Sequence, residues 1–238
     1  MTQPWDYIAK LVCIGDSATG KSSLTIRLCE GRFSAQHDVT IGVEFGSRVV
    51  SVGPSTSQDS QNGQATGMKK MKLSLWDTAG QETYKAVTRS YFRGASGALL
   101  VFDITRRSTF LHAIDWLNDL RQIAEEGIVV VLVGNKCDLA GSSQSTDESS
   151  KREVTKQEAE DWCRTNKILR YVETSAKSGE GVEDAFLDVA QSIYQGIVRG
   201  QYDLNDRRSG VRGPGGLPRS RNQNVELTPS NKSSNRCC

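Results

Sequence analysis

Gly15-Asp16-Ser17-Ala18-Thr19-Gly20-Lys21-Ser22 follows the apolar run Tyr7-Ile8-Ala9-Lys10-Leu11-Val12-Cys13-Ile14 and precedes a segment with Leu24 and Leu28 at helical spacing. The octapeptide fits G-x-x-x-x-G-K-[ST], and the strand-loop-helix setting is the one that motif requires. Gly15 and Gly20 allow backbone angles that a Cβ penalises, so successive N–H groups turn inward into a concave anion site. The following helix aims its partial positive end at the same place. Lys21 supplies a point charge for β- and γ-phosphates, and Ser22 a hydroxyl for Mg²⁺. An ordinary glycine turn followed by a surface lysine is spelled with the same letters. The loop therefore predicts phosphate binding without naming a base or a reaction.

Outward from the loop, 238 residues with 37% apolar and 24% charged side chains suffice for one large domain with a full core. Residues 53–67 lack large apolar side chains, and residues 140–152 are dominated by Ser, Gln and charge, so both read as mobile surface insertions. From Gly200 the chain is rich in Gly, Ser, Asn, Pro and Arg with no sustained hydrophobic period, which predicts a domain over 5–199 and a disordered tail over 200–238. The N-terminus has neither the basic start nor the apolar run of a signal peptide, and no apolar stretch is long enough for a bilayer. Cys13, Cys29, Cys137 and Cys163 show no ligand spacing, as expected of a reduced cytosolic protein. The net charge is +2, but residues 200–238 hold seven Lys/Arg against three Asp/Glu. A near-neutral domain with a basic tail points to an anionic membrane surface and away from nucleic acid. The same arginines could serve only to keep the tail soluble.

Within the body, short apolar runs alternate with amphipathic segments. Leu99-Leu100-Val101-Phe102 and Ile128-Val129-Val130-Val131-Leu132-Val133 predict strands buried on both faces, hence parallel and central. Met71, Leu73 and Leu75 alternate with Lys70, Lys72 and Ser74, predicting a strand with one wet face that forms a hairpin with residues 43–52. Helical spacing occurs at Val182, Ala185, Phe186, Val189, Ala190 and Ile193, and more loosely at Phe110, Ile114, Leu117 and Leu120. The pattern is a three-layer α/β fold with one antiparallel strand, in which ligands bind beyond the carboxyl ends of the strands.

Gly134-Asn135-Lys136-Cys137-Asp138 follows the central run and so lies at another strand end. The Asp138 carboxylate can accept N–H bonds from N1 and N2 of guanine, donors that adenine lacks there. Polar mismatches of this kind reject an analogue by about 10⁴ to 10⁵-fold. Asn135 can tether neighbouring loops, and the stem of Lys136 can lie along the base. A polar turn after a strand is the alternative. His37 and His112 lack metal-ligand spacing and read as surface residues; Trp116 and Trp162 read as helix core or partial surface.

With Trp76-Asp77-Thr78-Ala79-Gly80-Gln81-Glu82 the chain resembles the Ras-like small GTPases. The phosphate loop, Thr40-Ile41-Gly42-Val43-Glu44-Phe45, this heptapeptide, Asn135-Lys136-Cys137-Asp138 and Ser175-Ala176-Lys177 occur in that family's order, over residues 7–199. The resemblance implies a three-layer P-loop GTPase fold with a mostly parallel six-stranded sheet, one antiparallel strand and helices on both faces. It implies that Asp16, Ser17, Ala18, Thr19, Gly20, Lys21, Ser22 and Ser23 hold GTP or GDP phosphates. Ser22 and Thr40 would ligate Mg²⁺, and Asp77 would hold it through water. Gly80 would offer its N–H to the γ-phosphate, Phe33 would pack on the guanine, and the Ala176 N–H would meet its O6 between Ser175 and Lys177. Gln81 would orient the attacking water, since phosphoryl transfer relies on positioning and charge stabilisation. No internal arginine is assignable as a transition-state finger, which predicts slow turnover without an activating protein. Ser17 and Ala18 stand where Ras itself has glycines, which leaves the intrinsic rate open.

Within that family the chain is similar to Rabs, closest to the branch containing Rabs two, four and fourteen, through Ile41-Gly42-Val43-Glu44-Phe45 and Tyr91-Phe92-Arg93-Gly94-Ala95. Ile41, Phe45, Trp76 and Tyr91 match residues that Rabs present to effectors. Cys237-Cys238 matches the Rab pair that carries two geranylgeranyl groups and differs from a C-a-a-X box; Thr2 excludes N-myristoylation. Two lipids give durable attachment where one gives reversible binding. The resemblance implies a switch in vesicle traffic on the cytoplasmic face of endosome or Golgi membranes, cycling through cytosol. Its implied partners are an exchange factor, a GTPase-activating protein, a GDP dissociation inhibitor, an escort protein with prenyltransferase, and GTP-state effectors. A nucleotide-dependent binding module with negligible hydrolysis, and an ATP-using phosphotransferase, are the alternatives of other classes.

Overall fold

The computed structural model describes residues 4–35, 39–54, 67–140 and 151–213. Strand β1 (Tyr7–Ile14) runs into the phosphate loop and helix α1 (Lys21–Glu30). Strands β2 (Val43–Val52) and β3 (Lys69–Thr78) pair antiparallel along their whole length, from Val43↔Thr78 to Val52↔Lys69, as the alternation of Met71, Leu73 and Leu75 predicts. Helix α2 (Lys85–Ser90) leads to β4 (Gly97–Asp103), then α3 (Arg107–Leu111), α4 (Ala113–Ile123), β5 (Val129–Asn135), α5 (Lys156–Thr165), β6 (Arg170–Thr174) and α6 (Val182–Val198). The strand order is β2-β3-β1-β4-β5-β6, with β3, β1, β4, β5 and β6 mutually parallel.

Alternation along the strands fills two cores. Ala9, Leu11 and Cys13 of β1 turn to the face covered by α1 and α6, where Leu24, Phe186, Val189 and Ile193 are buried. Val12 and Ile14 turn to the opposite face, against Phe92, Phe102, Phe110, Trp116, Leu117 and Leu120. The loose helical spacing around Phe110 is two helices, broken at His112. The sheet is the expected α/β sheet, mostly parallel with an antiparallel strand at one edge.

One boundary is corrected. The chain does not leave the domain at Gly200: residues 201–213 turn back, and a seventh strand, β7 (Val211–Arg212), pairs antiparallel with Ile8 and Ala9 of β1. Its place exists because β4 meets β1 only from Leu11 onward, leaving the start of β1 without a neighbour on that side. Val211 is fully buried, and Tyr202 and Leu204 pack on the α1/α6 core. Composition concealed this strap because three scattered anchors hold it without any hydrophobic period.

The insertions lie outside the described residues at 55–66 and 141–150, as do His37 and Cys237-Cys238. Their flanks are held: Gln191 bonds both Gly53 N (3.2 Å) and Gly53 O (2.7 Å), and Arg152 pairs with Glu173 at 2.8 Å. No helix among the described residues is long and apolar enough to cross a membrane.

Candidate nucleotide-binding site

Beyond the carboxyl ends of β1, β5 and β6 lies a cavity of about 470 Å³. Ser17, Ala18, Gly20, Lys21, Ser22 and Ser23 line one end, with Thr40 and Gly80 beside them; Asn135, Lys136, Asp138, Leu139, Ala176 and Lys177 line the other; Phe33, Ser34, Ala35 and Val39 also border it.

At the phosphate end four of the loop's carbonyls, those of Gly15, Asp16, Ser17 and Thr19, are taken by side chains. Lys21 Nζ donates to Gly15 O (2.9 Å) and Asp16 O (2.8 Å), Thr19 Oγ1 also donates to Asp16 O (2.9 Å), Arg106 donates to Ser17 O (2.8 Å), and Asn135 Nδ2 donates to Thr19 O (2.8 Å). The amides of Ala18, Thr19, Gly20 and Lys21 have no acceptor among the described residues. Ala18 produces this orientation by adopting φ +62°, a left-handed angle that costs a residue with a Cβ roughly 1–2 kcal/mol. A row of backbone N–H donors without partners at one end of a cavity is an anion site in need of an anion. Gly20 is required by crowding, since a Cβ there would stand 2.2 Å from Asn135 Nδ2. Burial lowers the Lys21 ammonium to about 8, against the opposing attraction of Asp77 and Asp16. Phosphate charge would replace the lost solvation.

Ser22 Oγ and Thr40 Oγ1 are 2.8 Å apart, and the Asp77 carboxylate is buried at the end of β3. Two hydroxyls and a carboxylate are hard oxygen donors of the kind Mg²⁺ takes, so the residues present fit that ion. Among the described residues no cluster of three His, Cys, Asp or Glu competes for a metal.

Gly80 touches the loop directly: its carbonyl accepts from Ser17 N at 3.0 Å, and a Cβ on it would lie 2.5 Å from both Lys21 Nζ and Ser17 N. Gln81, next in the chain, is half-buried and does not line the cavity.

At the base end Asn135 is the bracket. Buried at 1% exposure, it holds Thr19 O through Nδ2, while Oδ1 accepts from Thr174 Oγ1 (3.1 Å) and Ala176 N (3.2 Å). The Ala176 amide, expected to face the base, is thus engaged by Asn135 through a long bond. Ser175 does not line the cavity; its hydroxyl donates to Asp138 Oδ1 at 2.7 Å and aims that carboxylate. Lys136, at φ +70°, bonds Asp103 Oδ2 at 2.7 Å. Burial raises the Asp103 carboxyl, but its bonds to Lys136 and Thr105 outweigh that and hold it below the usual range. Arg27 donates to Ala176 O at 2.8 Å and to Lys177 O, pinning this loop from α1.

Several roles read from sequence change. The Asp16 side chain turns away from the cavity: Trp116 Nε1 donates to its Oδ1 at 2.8 Å, and His112 Nδ1 meets its Oδ2 at 2.7 Å. His112 and Trp116, read as surface and core, are also props of the phosphate loop. Thr19 is fully buried and does not line the cavity. Asp103, Arg106 and Arg27 carry no motif that marks them in the sequence. The one usable signal was that His112 and Trp116, four apart, share a helix face beside the carboxyl end of β4.

Three of the expected effector residues adjoin one another. Phe45 and Trp76 meet edge to face at 4.5 Å, Trp76 and Tyr91 lie 5.4 Å apart, and Ile41 and Phe45 are exposed at 78% and 66%. Lys10 Nζ sits 4.2 Å over the Trp76 ring.

A phosphate cradle, a pair of hydroxyls and an aimed carboxylate thus share one cavity on a P-loop α/β fold. The Ras family model matches residues 10–195, and the chain belongs to the Ras family of small GTPases.

Proposed function

We propose that this Ras-family switch is a Rab-type protein of vesicle traffic, attached to the cytoplasmic face of endosome or Golgi membranes through Cys237 and Cys238. The observation that carries the reading is the contiguous Phe45-Trp76-Tyr91 cluster, one exposed ring on two half-buried ones, because aromatics that touch one another at a surface serve as interface anchors. Its base is Lys10, which fixes the Trp76 ring from below.

In the cavity, Lys21 and the amides of Ala18 to Lys21 bind the phosphates, and Asp138, aimed by Ser175, accepts from guanine. Ser22, Thr40 and Asp77 would hold Mg²⁺, which would neutralise charge developing in transfer. Thr40 and Gly80 stand on the two segments that the γ-phosphate would order and its loss would release. Gln81 orients the attacking water once its segment is drawn over the phosphate. Hydrolysis is slow until an activating protein supplies the missing cation, a contribution of about 10³ to 10⁵ in this class. An exchange factor, a GDP dissociation inhibitor, an escort protein and a prenyltransferase complete the cycle of loading, extraction and lipid attachment.

Tagged wild type, Gln81→Leu, and Cys237→Ser with Cys238→Ser, expressed in cells, test the proposal by fractionation and by the ratio of bound GTP to GDP. Wild type is expected in both membrane and cytosol, Gln81→Leu enriched in GTP and on membranes, and the double serine variant entirely cytosolic. Membrane-bound double serine protein would remove the lipid anchor from the reading. An unchanged GTP:GDP ratio in Gln81→Leu would remove the catalytic assignment and favour a binding module.

A further inference from the structure

Arg106 approaches the phosphate loop from the side opposite the cavity. It stands in the turn between β4 and α3, half-buried, and one of its terminal nitrogens donates to Ser17 O at 2.8 Å. It does not line the cavity, so it does not touch the phosphates itself. Its Nε is buried with no hydrogen-bond partner among the described residues. A neutral amide could cap one carbonyl without stranding a donor; what the guanidinium adds is charge.

The peptide that joins Ser17 to Ala18 carries that charge to the substrate. It is trans, as are all peptides in the described residues, so its C=O and N–H point in opposite directions. A guanidinium on the outer C=O therefore means that the Ala18 N–H points inward, into the cavity Ala18 lines. That N–H has no acceptor among the described residues. A charge-assisted bond to the carbonyl polarises the whole amide and strengthens its N–H as a donor. The strengthened donor gains most where phosphate charge increases, which is the transition state.

We infer that Arg106 is a positioning residue for hydrolysis, a cation built into the domain that acts on the phosphates through the Ser17–Ala18 peptide. It also holds Ala18 in its left-handed angle, which explains how a residue other than glycine serves there. The inference rests on the reading of this cavity as a site of GTP hydrolysis. Removing a direct oxyanion donor costs about 10² to 10³ in rate. Weakening one through its own amide, by roughly 10–30% per coupled bond, should cost about two- to eightfold.

The test compares purified full-length wild type, Arg106→Ala, Arg106→Gln and Arg106→Lys. Three quantities are read: single-turnover GTP hydrolysis, GDP dissociation rate, and the phosphorus NMR shift of the β-phosphate in bound GDP. Arg106→Ala is expected to hydrolyse about two- to eightfold more slowly and to move the phosphorus resonance, with GDP release about two- to threefold faster. Arg106→Gln, a neutral donor, should restore GDP retention but not the rate, and Arg106→Lys should restore most of both. An Arg106→Ala rate within twofold of wild type with an unmoved resonance would overturn the inference. So would rate and GDP retention falling in parallel in all three variants, the mark of a purely structural prop. A wild type that does not hydrolyse GTP would instead sink the functional reading, and the phosphorus shift would still decide the Arg106 assignment.

Discussion

Asn135 makes the base end and the phosphate end of the cavity one object. Its two side-chain atoms reach three backbone or hydroxyl groups, on the phosphate loop and on the chain from Thr174 to Ala176, at 1% exposure. Asn135→Ala would leave Thr19 O, and the Thr174 and Ala176 donors, without their partner in a buried place. Each stranded group costs about 1–3 kcal/mol, partly recovered by relaxation, so a net loss of about 3 kcal/mol is expected. Read as nucleotide retention, that is roughly a hundredfold faster GDP release, measurable with a fluorescent GDP analogue. Asn135→Asp keeps Oδ1 but loses the donor to Thr19 O, and should fall between. A release rate within threefold of wild type for Asn135→Ala would show that the two ends are held independently. The sequence made this residue legible because the motif is contiguous and follows a run of buried β-branched residues. Arg106, His112 and Trp116 stayed illegible for the opposite reason: their partners Ser17 and Asp16 lie about ninety to a hundred positions away. Nothing local to an arginine, a histidine or a tryptophan says that a distant carbonyl or carboxylate is waiting for it.

Helix α4 is the element that the phosphate loop and α2 share. Trp116 presents its indole N–H to Asp16 and its ring face to Lys85 Nζ, 5.5 Å away. One turn later Asp119 takes Lys85 at 2.7 Å and Arg89 at 3.6 Å, and Arg89 also donates to Gln122 Oε1 at 2.9 Å. Helix α2 is only six residues long, too short to hold itself, so its order depends on such tertiary contacts. The Asp119 side chain is 13% exposed, which places its ion pairs between surface and interior in strength, about 1–2 kcal/mol together. Asp119→Asn should therefore raise hydrogen exchange through residues 85–92 about tenfold, while GDP release changes less than twofold, because Asp16 keeps both of its partners. Exchange confined to wild-type values would assign the order of α2 to its apolar contacts instead. At this scale the sequence was informative about existence and poor about boundaries. The spacing of Phe110, Ile114, Leu117 and Leu120 predicts one helix, whereas the chain breaks at His112 and so delivers that imidazole to Asp16.

Across the whole molecule, the candidate nucleotide cavity lies at the carboxyl ends of the strands and the strap of residues 201–213 closes the opposite end. The hydrophobic pattern on both sides of the sheet was readable, since strands buried on both faces are written as continuous apolar runs. The strap was not, since it is written as a polar tail. Its hold is specific: Gly210 O accepts from Lys10 N at 2.9 Å and from Ser96 Oγ at 3.3 Å, and the side chain of that same Lys10 donates to Arg93 O at 2.8 Å beneath Trp76. The burial of Val211 alone is worth about 1.5–3 kcal/mol, and each kcal/mol moves the melting temperature of a domain this size by roughly 2–4 °C. Truncation after residue 199 should thus lower Tm by about 5 °C, whereas truncation after residue 213 should leave it within about 1 °C. Val211→Asp, which leaves the chain full length, should reproduce the loss. GDP release should not change in any of them, because Ile8 and Ala9 lie six residues before the phosphate loop, roughly 20 Å along an extended strand. Hydrogen exchange of the Lys10 amide should rise in the shorter truncation, reporting the loss of its acceptor Gly210 O. If the 199 and 213 truncations melt together, the strap contributes nothing to the fold and the domain does end near Gly200. If instead GDP release accelerates with the loss of the strap, the two ends of the sheet are coupled through β1, and Lys10 would be the residue to test next.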